Sequence, residues 1–253
     1  MSLFLQEIKM NLARSFRYKF NLISDIVVFT ILFSFFMLAQ VGTSFSYTYH
    51  NYNHQALLLL GYIGWNFSTM CISLINNEIR HELAKGMFYH KLLSKHSLPI
   101  IYISKLISAF LIQTIVVICY TLIAVFVFQV QFTINLTIIL VLIICLVGMY
   151  GIGLIVGAAT LLFKKAGNIV LLLQLTLLFI TDTIPTNSVI LIVSRVIPLT
   201  IANDVIRTLY SSGGLNQNIF WLIFSSLIFL VIGVMSFQYA LKITRKNGTM
   251  LLY

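Results

Sequence analysis

Residues 136–163 read LTIILVLIICLVGMYGIGLIVGAATLLF and contain no Asp, Glu, Lys, Arg or His. At 1.5 Å per residue a helix of this length more than spans a hydrocarbon layer of roughly 30 Å. In a soluble fold such a stretch would need to be buried on every side. The rest of the chain cannot do that, because 60 % of its 253 residues are hydrophobic and 9 % are charged, and mean hydropathy is +1.00. A soluble domain has about 25 % charged residues. The solvent is therefore lipid, and the chain is predicted to be an all-α integral membrane protein.

Working outward, further apolar runs appear at about Leu22–Val41, Ala56–Asn76, Ile100–Val130, Ile169–Thr181 and Ile219–Leu241, which makes six predicted spans. Lys105 is expected to snorkel at the inner end of the third. Residues 1–20 do not have the layout of a signal peptide. Phe4, Ile8, Leu12 and Phe16 recur every fourth residue, while Glu7, Lys9, Asn11, Arg14 and Arg17 fill most of the remaining circumference. This pattern predicts a basic amphipathic helix in the membrane interface; the plainer alternative is a basic flank that orients the first span. Asp25 at the inner end of that span is close enough to Arg14, Arg17 or Lys19 to be paired or solvated. The polar stretch that follows, with three tyrosines, His50 and His54, reads as an exposed loop at the headgroup boundary.

Residues 182–216 contain two short apolar runs interrupted by Pro185 and Pro198 and end in Ser-Ser-Gly-Gly. Two short helices dipping into one leaflet are expected, because irregular backbone at membrane depth is tolerated only against protein or a water-filled cavity. With a cytoplasmic N-terminus, 14 of the 16 Lys and Arg residues fall on the inside, leaving Arg195 and Arg207 in the re-entrant segment. The positive-inside rule selects this orientation, with both termini cytoplasmic. The net charge of +10 is then explained by the anionic inner leaflet rather than by nucleic acid. No linker or repeat divides residues 1–253, so one domain is expected.

Several chemistries have no counterpart in the sequence. No GxxxxGK[ST] motif is present to cradle a nucleotide. His81-Glu82-Leu83-Ala84-Lys85 approaches HExxH, but a lysine replaces the second ligand. The three cysteines are scattered through apolar runs and read as small hydrophobes. All six acids lie near span ends, whereas coupled carriers need acids or His at mid-membrane. Energy is therefore expected to come from outside this chain, which is expected to be neither an enzyme nor a cofactor-binding protein.

The richest polar segment is 76–99. Leu83, Met87, Phe88 and Leu92 can form the apolar side of a helix lying along the membrane, with Arg80, Lys85, Lys91 and Lys95 in water. Gly86 would permit a sharp bend there. The plainer alternative is a basic loop that only fixes topology.

From Glu78 through HELAKGMFYHKLLSKHSLPIIYISKLISAF (81–110), the sequence resembles the signature of ABC-2-type transporter permeases. Glu82 and Gly86 match a Glu-x3-Gly pattern, followed by Phe88 and Tyr89, a turn with Ser97 and Pro99, and Lys105 in the third span. The Gly-Thr common in bacterial members is Gly86-Met87 here. Val196-Ile197-Pro198-Leu199-Thr200, with Asp204 and Arg207, resembles the family's Pro-Leu-Thr segment before the last span.

The resemblance implies a permease subunit of the bacterial plasma membrane that pairs with a second copy or a paralogue. Two cytosolic ABC ATPase subunits, which hold the ATP and Mg, would bind beneath. Arg80, Glu82, Lys85, Gly86, Phe88, Tyr89 and Lys91 would belong to a coupling helix seated on the ATPase. Arg14 and Arg17 would lie on an N-terminal brace, and Pro198, Asp204 and Arg207 in the re-entrant segment. ATP-driven closure would rock the permeases between inward-open and outward-open states. A cavity lined by apolar and aromatic residues would favour hydrophobic or amphipathic cargo. Small permeases of this kind resemble exporters of bacteriocins and of staphylococcal amphipathic peptide toxins. Multidrug export, export of cell-wall polymers or lipid-linked glycans, and an ATP-independent channel or carrier are the alternatives.

Overall fold

A computed structural model describes residues 3–86, 98–133, 135–163, 167–214 and 217–246. Among them the chain is all-helical: α1 (Leu3–Arg17), α2 (Lys19–Leu38), α3 (Thr43–Tyr49), α4 (His54–Ala84), α5 (Leu98–Phe128), α6 (Leu136–Phe163), α7 (Gly167–Ile180), α8 (Ser188–Ser194), α9 (Pro198–Ser212) and α10 (Asn218–Lys246). Five of these helices, α2, α4, α5, α6 and α10, are long and apolar enough to cross a bilayer. The predicted fourth span and α6 share the same limits. The predicted fifth span is the 14-residue α7, which is about 21 Å long and shorter than a crossing by itself. The two short helices expected after it are α8 and α9, which meet at a bend of 115°.

α4 forms the centre. Of its most apolar stretch 89 % is buried, against 17 % for α2 and 22 % for α10. It packs on α6 and also touches α2, α3, α5, α7 and α9. The peripheral helices turn Ile31, Phe35, Phe126, Leu172, Phe220 and Met235 outward, as side chains facing hydrocarbon do. α1 packs on α5 and α2, with Ile8 and Leu12 half-buried and Arg14 and Arg17 exposed. Phe16, also on the predicted apolar stripe, is exposed, so the stripe is covered only in part.

Two backbone-to-backbone contacts fix the centre. A side chain at Gly151 would overlap the Phe229 carbonyl, and one at Gly233 would overlap the Gly151 backbone, so α6 and α10 touch through their main chains. On the opposite side of α6, a Cβ on Gly153 would lie 2.8 Å from the Cys71 carbonyl oxygen of α4. The GxxxG of the fourth span therefore serves packing within the subunit, as small residues do where no hydrophobic force separates helix from lipid.

Two expectations about loops change. Residues 43–49 form α3, whose Phe45 is 3 % exposed, so this is not simply a solvated loop. Residues 76–84 do not begin a separate surface helix; they continue α4 without a break. Leu83, expected on a surface-facing apolar side, is buried in a cluster with Ile75, Ile79, Tyr102 and Phe237.

The α6–α10 contact predicts that Gly151→Val lowers stability by about 3 kcal/mol, because neither main chain can yield. Gly214→Ala, whose Cβ would meet Ser212 Oγ at an ordinary contact distance of 3.8 Å, should leave it unchanged. Thermal unfolding in detergent distinguishes them, and equal melting temperatures would contradict the close approach.

Candidate functional site

The bundle has two polar ends. At the first, here called the basic end, α1, the end of α4, the start of α5 and the end of α10 gather. The last turns of α4 divide by helical period: Ile79, Glu82 and Leu83 point inward, while Arg80, His81, Ala84 and Lys85 are exposed. Glu82 is 2 % exposed. Its carboxylate lies 3.2 Å from Lys105 Nζ on α5 and accepts a 3.2 Å hydrogen bond from the Tyr102 hydroxyl. Lys105 also pairs with Glu78, one turn back on α4. Lys105 is therefore not a snorkelling residue, since its ammonium is drawn sideways into a two-carboxylate clamp that joins α4 to α5.

That clamp flanks the segment between α4 and α5. Lys85 closes α4, and Gly86 follows with φ +66° and nothing within 4 Å of its would-be Cβ. This is the left-handed conformation glycine favours at a helix end. Of the residues predicted to meet a partner, Arg80 and Lys85 are exposed, and Glu82 is turned inward behind them. Phe88, Tyr89 and Lys91 lie outside the described residues.

Beside the clamp a cavity of about 630 Å³ opens between α1, α2, α4, α5 and α7. Its lining includes Arg14, Asp25, Glu78 and His81, and, deeper along α4, Trp65, Asn66 and Thr69. The expected apolar and aromatic lining is thus only part of it, because amides line it from four helices, Asn21 of α2, Asn66 and Asn77 of α4, Gln113 of α5 and Gln174 of α7. Gln113 of α5 donates to the Asn66 side-chain oxygen. Trp65 donates to the Gln174 carbonyl at 3.0 Å, and Gln174 Nε2 donates to the Thr69 carbonyl at 3.1 Å. Asn66 Nδ2 has no partner among the described residues. That donor lies twelve residues into α4, about 18 Å from the helix's first residue, within the buried apolar stretch, where an unsatisfied polar group is costly.

At the other end Arg207 of α9 is fully buried. It pairs with Asp182 at 2.7 Å and donates to the Leu57 and Thr183 carbonyls at 3.2 and 3.3 Å. The Phe45 ring covers it at 3.7 Å, a cation–π contact that desolvation strengthens. Burial pushes the Asp182 carboxyl above its usual range, with Arg207 pulling it down. Gly61 makes room, because a Cβ there would lie 2.5 Å from the guanidinium. Asp204 accepts from Tyr49 at 3.2 Å and from Asn218 at 2.7 Å, while Pro198 opens α9 and packs over Gly148. Arg207 and Asp204 thus lock the re-entrant segment to α3, α4 and α10. Their positions were legible in the sequence; their partners, 14 to 155 residues away, were not.

No group of three or more His, Cys, Asp or Glu side chains among the described residues could hold a metal ion. The basic-end clamp predicts a graded response. Lys105→Met leaves two carboxylates facing each other in the interior and should cost about 3 kcal/mol or more. Glu82→Gln keeps one neutral pair and should cost less, and Glu78→Gln, at the more exposed acid, least. Unfolding midpoints in detergent check the order; a Glu78 variant worse than Lys105→Met would contradict it.

No curated protein and no solved structure matches the chain. The family model described as "ABC-2 type transporter" matches residues 3–210, from α1 through the re-entrant α8–α9 pair, leaving α10 beyond the match. Five apolar membrane-length helices and that match agree: the chain belongs to the ABC-2 type transporter family, as a membrane permease subunit of an ABC transporter.

Proposed function

We propose that this permease is the membrane part of an ATP-driven exporter of amphipathic molecules, with membrane-active peptides as the cargo it fits best. The basic end faces the cytoplasm, as the distribution of Lys and Arg requires. Two ATPase subunits dock there, beneath a pair of permease copies. The observation that carries this reading is the ionic clamp between Lys105, Glu78 and Glu82. It fastens both helices that flank residues 85–97, so a force applied there is transmitted to α4 and α5 together. Arg80 and Lys85 supply the exposed contacts, with Glu82 as a positioning residue behind them. α1 braces the same face through Arg14 and Arg17.

The cavity above the clamp supports the cargo class. Its mouth carries both signs of charge, its wall carries Trp65, Phe29 and Met70, and its depth carries amides. A peptide presents the same mixture of apolar side chains and carbonyl acceptors. Asn66 Nδ2, fully buried in this state, reaches such a carbonyl once the cavity wall opens around it, which removes the cost of its unsatisfied state. A purely hydrophobic drug leaves that donor unmet.

Two measurements separate docking from cargo recognition. Charge reversal at Arg80 and Lys85 together should weaken copurification of the ATPase by about tenfold, on the scale of two exposed or half-exposed contacts. Asn66→Leu should leave copurification intact and reduce stimulation of ATP hydrolysis by an amphipathic helical peptide. Unchanged copurification after charge reversal would refute the docking face. Equal peptide stimulation in the Asn66 variant would refute the cargo site. Transport by the permease without any ATPase would refute the exporter reading itself.

A further inference from the structure

A second cavity, of about 720 Å³, lies at the end away from the basic residues, between α3, the α8–α9 hairpin and α10. Its depth follows from one contact: Ser225 Oγ donates to the Val196 carbonyl at 2.6 Å. Ser225 is seven residues into α10, so the hairpin tip sits about 10 Å below that end of the bundle. Arg195 is at this tip, is exposed and lines the cavity. A guanidinium at that depth in a bilayer requires a counter-charge.

The protein does not supply it. No ion pair to Arg195 is found among the described residues. Of the two acids of the cavity, Asp182 is paired with Arg207, and Asp204, held by the neutral donors Tyr49 and Asn218, makes no ion pair with Arg195. Everything else polar at the tip points the same way. α9 begins there with Pro198 at its first position, and Ile197, the residue before it, provides no side-chain cap. The first turn of α9 therefore has no side-chain cap, and its Thr200 N–H donates to the Ile197 carbonyl at 3.1 Å. Thr200, in that first turn, is 5 % exposed, lines the cavity, and its hydroxyl has no partner among the described residues. The rest of the wall is apolar, and Val196 and Trp221 are both 66 % exposed where the cavity meets the hydrocarbon.

We propose that this groove binds an anionic phospholipid from the adjoining leaflet. The headgroup phosphate meets Arg195 and the N-terminus of α9, including the Thr200 hydroxyl, and an acyl chain runs along Val196, Trp221, Phe224 and Ile228. Charge and shape agree at the tip: Arg195, without an ion pair among the described residues, and the unpartnered Thr200 hydroxyl in the first turn of α9 lie beside an apolar slot, while Asp204 lies about two turns into α9. The occupied groove holds the re-entrant hairpin against α10 from the side opposite Arg207.

The test uses the full-length chain purified in mild detergent, with lipid retention counted by native mass spectrometry. Phosphatidylglycerol should be retained over phosphatidylcholine, and Arg195→Gln should abolish that preference, a loss of about tenfold for one charge-assisted contact. Arg195→Lys should keep most of it. Should Arg195→Gln not purify intact, Thr200→Val reads the same site and must weaken phosphatidylglycerol retention while sparing phosphatidylcholine. Equal retention of phosphatidylglycerol by the wild type and these variants would overturn the proposal. So would loss of the preference in millimolar inorganic phosphate, which would assign the site to a soluble anion. Neither result bears on ATPase docking or cargo recognition at the basic end.

Discussion

A charged group in hydrocarbon needs a partner, and two such partnerships within the protein organise this fold. At one end Lys105 joins α5 to the two acids of α4; at the other, Arg207 joins α9 to Asp182 and to the backbone of α4. Both attach to α4, the most buried helix of the bundle. The central helix is thus held at its basic end by an ionic contact and at the other by the Leu57 carbonyl's hydrogen bond from the buried, ion-paired Arg207; losing either ion pair would leave charge in a low-dielectric interior. Between those ends it is held by close packing. Gly153 and Gly157 let α6 come down on Cys71, Ile75 and Ile79, and Gly151 with Gly233 brings α6 onto α10.

This arrangement has a mechanical consequence. A 31-residue helix that is clamped to a neighbour at its basic end behaves as a lever rather than a hinge. Its exposed terminal residues, Arg80 and Lys85, are carried on the same rigid element as Asn66 in the cavity. Motion imposed at one reaches the other without an intervening joint. The bend comes afterwards, at Gly86, where the backbone enters the left-handed region. The re-entrant pair at the far end is locked more heavily, by Arg207, Asp204 and Pro198. The two ends therefore differ in what they can do: the basic end presents an accessible edge, and the far end a braced one.

Much of the fold could be read from the sequence because hydropathy alone dictates it. A run such as 136–163 has no competing solution, and its limits reappear as α6. The re-entrant pair was readable because two prolines and a diglycine leave only short helices. Position-specific contacts were not readable where the partner is remote in the chain. Residues 77–84 read as part of a separate surface helix because they are charged; they continue α4 instead, with Glu78 and Glu82 paired to Lys105, 27 residues beyond Glu78. Gly61 carries no signal of its own, yet it is the space into which Arg207 fits. Residues 43–49 read as loop because their aromatics suit a headgroup boundary, whereas Phe45 covers a buried guanidinium. The amides at Asn66, Gln113 and Gln174 lie singly in three different apolar runs, and only the packing of α4, α5 and α7 brings them to one cavity.

The central claim is that Glu82 and Lys105 form a closed, energetically coupled pair that unites α4 with α5. A charge-swap cycle measures this directly, using unfolding free energies of Glu82→Lys, Lys105→Glu and the double variant. The net charge of the cluster with Glu78 is the same in the double variant as in the wild type. The account predicts that each single change is strongly destabilising and that the double variant recovers a large part of the combined loss. Losses that simply add would contradict it, because they would mean that the two residues do not interact and that α4 and α5 are not joined there.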